Sequence, residues 1–225
     1  MKNKTTETIE TYNNIVNEYS DFFKTKFPDG SVQFQKEMDI LIDILDSDSK
    51  ILDVGTSIGL YPKYILENSN KKFNIVGIDA AENMIKAAIK NVPAAQFKVM
   101  DMRNMNFAPD SFNAIICLAT LIHVDDTEAY KILEKLDIIL KKRGIIIINV
   151  QEYINGEKEL YVKEPFNPRF NTYFNRYKKD FFIKWFNSKQ YKILGIIDNP
   201  VTNGDNIKAP ITTTNRFSII VKKND

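Results

Sequence analysis

Ile51-Leu52-Asp53-Val54-Gly55-Thr56-Ser57-Ile58-Gly59-Leu60 is the stretch that decides the fold. A short apolar run ends in an acid, passes through a loop with glycine at 55 and 59, and enters a segment, 60–67, whose apolar spacing suits a helix. The two glycines let the backbone turn tightly and approach a ligand closely. Strand, loop and helix in that order open an α/β unit, and in open α/β sheets ligands bind outside the carboxyl ends of the strands. The alternation continues downstream. Apolar strands are expected at 73–78, 96–100, 112–118 and 145–150, and helices at 81–90 and from a cap at Asp125 or Asp126 to Leu140, where Gly144 breaks the pattern. Strands with so little polar alternation are buried on both faces, and the right-handed crossover rule makes the sheet doubly wound.

On either side the rhythm differs. Upstream, 5–25 reads as one helix with Ile9, Tyr12, Val16, Tyr19 and Phe23 at helical spacing. Pro28-Asp29-Gly30 is a turn, and Ser31 is placed to cap a second helix carrying Met38, Leu41, Ile42 and Leu45. Downstream, 151–175 has no clear period and is rich in aromatics. Residues 178–189 form a helix whose Phe181, Phe182, Trp185 and Phe186 read as core. Two closing strands, 191–197 and 216–221, are joined only by a polar loop containing Pro200, Gly204 and Pro210, which suits an antiparallel pair. The expectation is a single α/β domain over 1–225: a doubly wound, mostly parallel seven-stranded sheet with an antiparallel C-terminal strand. Residues 1–46 would form an N-terminal helical cap and 151–177 an insertion covering the substrate.

Composition narrows the function. Lys+Arg at 31 against Asp+Glu at 29 leaves a net charge of +2, too little to point to nucleic acid. The lone Cys117 excludes an intrachain disulfide and reads as a small buried hydrophobe. The polar start MKNKTTETIE lacks a signal-peptide core, and apolar runs such as 145–148 are far shorter than a membrane span. A soluble, cytoplasmic protein is expected.

A dinucleotide fingerprint, G-x-G-x-x-G, would need glycine at Ser57 and Leu60, and both fail. Asp53-x-Gly55-x-Ser57-x-Gly59 instead resembles the first motif, D/E-x-G-x-G-x-G, of Rossmann-like (class I) S-adenosylmethionine-dependent methyltransferases of the small-molecule type. Asp79, ending Val76-Gly77-Ile78-Asp79, matches the family's ribose-binding acid. Ala80 and Met84 follow where that family lines the adenine, and Met100-Asp101-Met102 matches the acid and neighbour that meet the adenine edge. Asn106 to Phe112 and Lys141-Lys142-Arg143-Gly144 resemble its runs into the fourth and fifth strands, with Asn113 and Arg143 replacing the usual Asp and Pro. Tyr12-Asn13-Asn14-Ile15-Val16-Asn17-Glu18-Tyr19 resembles its N-terminal segment.

The resemblance implies S-adenosyl-L-methionine as cofactor, no metal, and a small-molecule methyl acceptor, with the protein a monomer or homodimer away from nucleic acid and membrane. It implies that Tyr12, Tyr19, Asp53, Gly55, Thr56, Ser57, Gly59, Asp79, Ala80, Met84, Asp101, Met102 and Leu118 contact the cofactor, with Leu118 and Ala119 offering backbone groups. His123, the sole histidine, follows the fourth strand in an L-x-H-like segment and is either a base, a substrate contact or a structural residue bonded to backbone. Tyr161, Phe166, Phe170, Tyr173 and Phe174 form either an aromatic wall or cap core, and Lys163, Arg169 and Arg176 either hold an anion or are surface charge. Two other readings stay open: a protein that binds the cofactor without methyl transfer, and a nucleotide-dependent oxidoreductase, which Ser57 and Leu60 disfavour.

Overall fold

A computed structural model describes residues 3–199 and 215–225. Pro200, Gly204 and Pro210 lie outside that range. The expected alternation is present: β1 (Lys50–Val54), α4 (Leu60–Glu67), β2 (Asn74–Asp79), α5 (Glu82–Asn91), β3 (Gln96–Val99), β4 (Phe112–Leu118), α6 (Asp126–Ile139) and β5 (Leu140–Gln151). The seven-stranded sheet runs β3-β2-β1-β4-β5-β9-β8, where β8 is Lys192–Asn199 and β9 is Arg216–Lys222. All neighbours from β3 to β5 are parallel, and β9 runs antiparallel to both β5 and β8. Strand order reverses between β1 and β4, the point at which α/β sheets open a crevice.

Both faces are covered. Ile115 and Cys117 of β4 pack with Leu133 and Leu136 of α6 and with Phe182, Trp185 and Phe186 of α7 (Lys179–Ser188). Ala114, Ile116 and Leu118 face α4 and α3 (Gln35–Ile44) through Ile65, Met38 and Leu41. Phe182 and Phe186 are fully buried, so truncating either to Ala would cost about 3–5 kcal/mol. Cys117 is buried as expected, and desolvation pushes its thiol up to about 12.

Four expectations are corrected. The N-terminal segment is two helices, α1 (Lys4–Asn14) and α2 (Val16–Lys26), broken at the fully buried Ile15. Asn83 of α5 takes the Asn13 carbonyl and donates its backbone N–H to the Asn13 side chain, at 2.9 and 3.0 Å, so α5 holds the chain at the break. Ser31 caps no helix: it bonds Asp29, and α3 starts after Phe34, whose φ of 64° puts it in the left-handed region. α6 ends at Ile139, before Gly144, and the left-handed residue of the following turn is Arg143, at φ 62°. Last, the aperiodic region holds an antiparallel hairpin, β6 (Glu159–Lys163) with β7 (Asn171–Asn175).

The hairpin explains α1. The buried stripe of that helix is Thr5, Thr8 and Thr11. The Thr8 hydroxyl accepts from the Tyr173 N–H at 3.0 Å, and the Thr11 hydroxyl donates to the Asn171 carbonyl at 2.7 Å. These hydroxyls take up backbone groups on the free edge of β7 that would otherwise lack partners. Among the described residues, no helix is long and apolar enough to cross a membrane.

A non-glycine residue in the left-handed region carries about 1–2 kcal/mol of strain, part of which glycine's greater unfolded-chain freedom offsets. Arg143→Gly is therefore expected to raise stability by roughly 0.5–1 kcal/mol in urea denaturation. A loss of stability would mean that the Arg143 side chain holds the turn.

Candidate functional site

A cavity of about 230 Å³ opens at the carboxyl ends of β1, β2 and β4, roofed by α1, α2 and the hairpin region. Its floor is the β1–α4 loop. Gly55, at φ 74°, lies so close to Thr120 that a Cβ would sit 2.2 Å from that hydroxyl. Only glycine fits there, and Thr120 uses the space to donate to the Val54 or Leu118 carbonyl, at 3.0 and 3.1 Å. Ser57 stands at φ 50°, so this serine adopts the backbone shape that its position requires of a glycine. Its hydroxyl reaches Met84 Sδ at 3.5 Å.

Four of the loop's N–H groups are committed. Gly55 and Thr56 donate to the Ile78 carbonyl at 2.8 and 2.9 Å, Gly59 donates to Thr56, and Ser57 donates to the Asp79 carboxylate at 2.9 Å. Pro62 removes a further donor from the first turn of α4.

Asp79 ends β2 and faces the cavity. Its carboxylate accepts from Ser57 and from Ala81 N–H at 2.8 Å, which fixes its plane and leaves lone pairs for a ligand. Burial raises its pKa to about 6 against the pull of those N–H donors. Asp53 is different. It lies within β1, 1% exposed and away from the cavity lining, with one carboxylate oxygen unpartnered. Burial pushes it to about 7, the nearby Thr56 hydroxyl opposing and the Asp79 charge adding. Asp101 lines the cavity, but Arg103 grips both its oxygens through Nε, at 3.1 and 3.0 Å, and Nη2, at 2.6 Å.

Of the residues singled out from sequence, Tyr12, Tyr19, Gly55, Thr56, Ser57, Asp79, Ala80, Asp101, Met102, Leu118 and His123 all border this cavity. Gly59 borders a neighbouring one, and Met84 is fully buried behind Ser57. The Ala119 N–H is spent on the Asn149 carbonyl at 3.0 Å. Phe166 and Phe174 join the wall, whereas Tyr161 is exposed on the hairpin and Tyr173 is buried behind it. Phe170 packs in the small cluster that holds Ile15 and Met84. Lys163, Arg169 and Arg176 do not line the cavity; the cation on its β9 side is Arg216. Tyr61, Thr120 and Arg216 were not singled out from sequence. Arg216 reads there only as the first residue of a strand, and no local pattern marks it.

His123 Nδ1 lies 2.9 Å from the Tyr173 carbonyl, so the neutral ring carries its proton on Nδ1 and presents Nε2 as an acceptor. Burial lowers its pKa to about 4. Tyr12 meets the ring edge-on with centroids 5.3 Å apart. The histidine is both bonded to backbone and exposed to the cavity.

The cavity lies at the switch point of an open α/β sheet, with the Asp79 carboxylate on its wall. Residues 51–144 match the family model described as a methyltransferase domain, and over that stretch, under half of the chain, the protein is similar to methyltransferase domains. It is 32% identical over 104 residues to a phosphoethanolamine N-methyltransferase of Triticum aestivum, a match covering 44% of this chain and 20% of that one. It is 30% identical over 139 residues to a carboxy-S-adenosyl-L-methionine synthase of Nautilia profundicola, covering 58% of each. The chain thus spans less than two thirds of the length of these relatives. A solved S-adenosylmethionine-dependent methyltransferase from Methanosarcina mazei shares the fold, with TM-score 0.68 and 18% identity, over 82% of this chain and 97% of that one.

Two outcomes follow from this geometry. Ser57→Gly should keep the loop and leave stability equal or higher, whereas Ser57→Val should lose about 1–2 kcal/mol in thermal denaturation. Because His123 folds with a pKa below the unfolded value of about 6.5, the unfolded state binds more protons between those values. Stability contributed by the neutral ring is therefore lost as pH falls from about 6.5 toward about 4. The difference in unfolding free energy between the wild type and His123→Gln should change across that window, and a flat difference would show that the ring titrates normally.

Proposed function

We propose that this protein transfers the methyl group of S-adenosylmethionine to a small-molecule acceptor. The observation that carries the reading is Asp79: a carboxylate fixed by two backbone N–H groups at the end of β2, facing the cavity beside the glycine loop that follows β1. An adenosyl ribose supplies two hydroxyl donors to such an acceptor. When bound, the cofactor supplies a sulfonium methyl already activated toward nucleophiles. The chain's task is to orient and to exclude water, and orientation alone can be worth about 7–11 kcal/mol.

The residues divide that task. Asp79 receives the ribose hydroxyls. Met102 and Ala80 flank the base, and Asp101, gripped by Arg103, sets the floor beside it. Gly55 to Ser57 and Leu118 to Thr120 bound the path of the methionyl part. Tyr12, Tyr19, Phe166 and Phe174 close the roof over the acceptor. His123, neutral and with Nε2 free to accept, positions an acceptor N–H or O–H; its lowered pKa makes it a poor store for a proton. In this reading residues 1–46 act as the cap and 151–177 as the acceptor-side insertion. The protein works in the cytoplasm as a monomer or homodimer, without nucleic acid. Phosphoethanolamine, named in the Triticum aestivum relative, is the first acceptor to try. The likeness to a carboxy-S-adenosyl-L-methionine synthase favours a second reading, cofactor binding without methyl transfer.

Calorimetry with S-adenosylhomocysteine and with NAD tests the binding step. We expect the first to bind and the second not; tight NAD binding with no response to the first overturns the proposal. Formation of S-adenosylhomocysteine from S-adenosylmethionine with a panel of small amines and hydroxyl acceptors tests the transfer, and binding without turnover across the panel would favour the second reading. Asp79→Ala should weaken S-adenosylhomocysteine at least about tenfold, the loss of a hydrogen bond to a charged group. Because protonation removes an acceptor, wild-type affinity should fall as pH drops below about 6. Asp79→Ala should lack that dependence.

A further inference from the structure

Arg216 opens β9 and lines the cavity on the side away from Asp79. From β2 to β9 there are four strand steps, β1, β4, β5 and β9, which at about 4.8 Å each separate the two backbones by roughly 19 Å. The cavity therefore has an acidic side over β2 and a basic side over β5 and β9. Among the described residues, no carboxylate forms an ion pair with Arg216. Its one hydrogen bond there runs from Nη1 to Asn149 Oδ1 at 3.5 Å, the long limit for such a bond. The carboxylate nearest in the network is Glu37, and it is taken by Ser218 and Asn199.

A second, independent observation sits beside it. Gln151 ends β5 directly opposite Arg216 in the antiparallel ladder, so the two side chains share a face of the sheet. Gln151 is 0% exposed, yet neither its amide nitrogen nor its amide oxygen has a hydrogen-bond partner. Gln151 lies behind the cavity rather than on its lining, so the group that meets a ligand there is the Arg216 guanidinium, whose two-pronged donors suit an anion with at least two oxygens.

We propose that Arg216, on the cavity wall in front of Gln151, forms a subsite for a carboxylate or phosphate group carried by the methyl acceptor. The assignment rests on the methyltransferase reading above, which puts the adenosyl group at Asp79 and the methionyl part over β1 and β4. Arg216 lies beyond both, on the strand past β5. The acceptor is then a small molecule with its nucleophilic atom toward His123 and an anionic group toward β9. The same chemistry has one other source, the cofactor's own carboxylate, and the test separates the two.

The probe is inorganic phosphate, titrated at constant ionic strength against the free protein and against its complex with S-adenosylhomocysteine. The readout is the side-chain amide resonance of Gln151. Saturable shifts at millimolar phosphate are expected in both forms, with binding weakened at least tenfold in Arg216→Gln and severalfold in Arg216→Lys, which keeps the charge but not the two-pronged geometry. Unfolding curves of both variants check that each is folded. Absence of a shift in the wild type, or equal titration in folded Arg216→Gln, overturns the subsite. Phosphate binding to the free protein that S-adenosylhomocysteine abolishes assigns the subsite to the cofactor's carboxylate and overturns the acceptor assignment. A protein that binds phosphate but ignores S-adenosylhomocysteine would sink the methyltransferase reading on which the acceptor assignment rests, whereas one that binds S-adenosylhomocysteine and ignores phosphate would sink only this inference.

Discussion

The site depends on one clamp. Gly55 and Thr56 donate to the Ile78 carbonyl, and Ser57 donates to the Asp79 carboxylate, so the loop after β1 is tied to the end of β2 over three consecutive residues. The tie is possible only because Gly55 has no side chain to strike Thr120 and because residue 57 accepts a left-handed backbone. It commits three of the loop's donors and orients the Asp79 carboxylate, so one set of hydrogen bonds shapes the floor and fixes the acceptor that faces the cavity.

The roof is built on a different principle. α1 faces the hairpin with threonines, whose hydroxyls take up backbone groups of β7 and the carbonyl of His123. This ties the N-terminal helices to the strand that also fixes the His123 tautomer, since Tyr173 offers its N–H to Thr8 and its carbonyl to the imidazole. One residue of β7 thus joins the roof helix to the group that orients Nε2.

The sheet was legible because its signals are local. Apolar strands bounded by turns repeat from Ile51 to Val150, and the acids that end the first two lie next to recognisable glycine loops. Most of the cavity-facing residues could be named for the same reason. What escaped reading was set by long-range contacts. The break at Ile15 is held by Asn83, seventy positions away in sequence. The buried stripe of α1 is threonine, which looks like a solvent face until β7 is placed against it. In β7 the adjacent Tyr173 and Phe174 put aromatics on both faces of the strand, so no period of two shows there. Asp53 was expected at the cofactor because it matches the acid of the family's first motif; it pairs in register with Gly77 and Ile116 between two strands and is buried outside the cavity lining.

The electrostatic division of the cavity follows from the same sheet order. Parallel strands β1, β2 and β4 bring their carboxyl ends to one edge, so acids that end strands gather there. β9 runs the other way, and it is the amino end of that strand, with Arg216, that reaches the same edge beside Gln151. The reversal of a single strand is therefore what allows a cation to face Asp79 and Asp101 across one cavity. A neutral His123 between the two sides keeps the middle uncharged, because a protonated imidazole there would repel both the Arg216 guanidinium and any sulfonium group. Burial is the first cause of the low histidine pKa, and the Arg216 charge acts in the same direction.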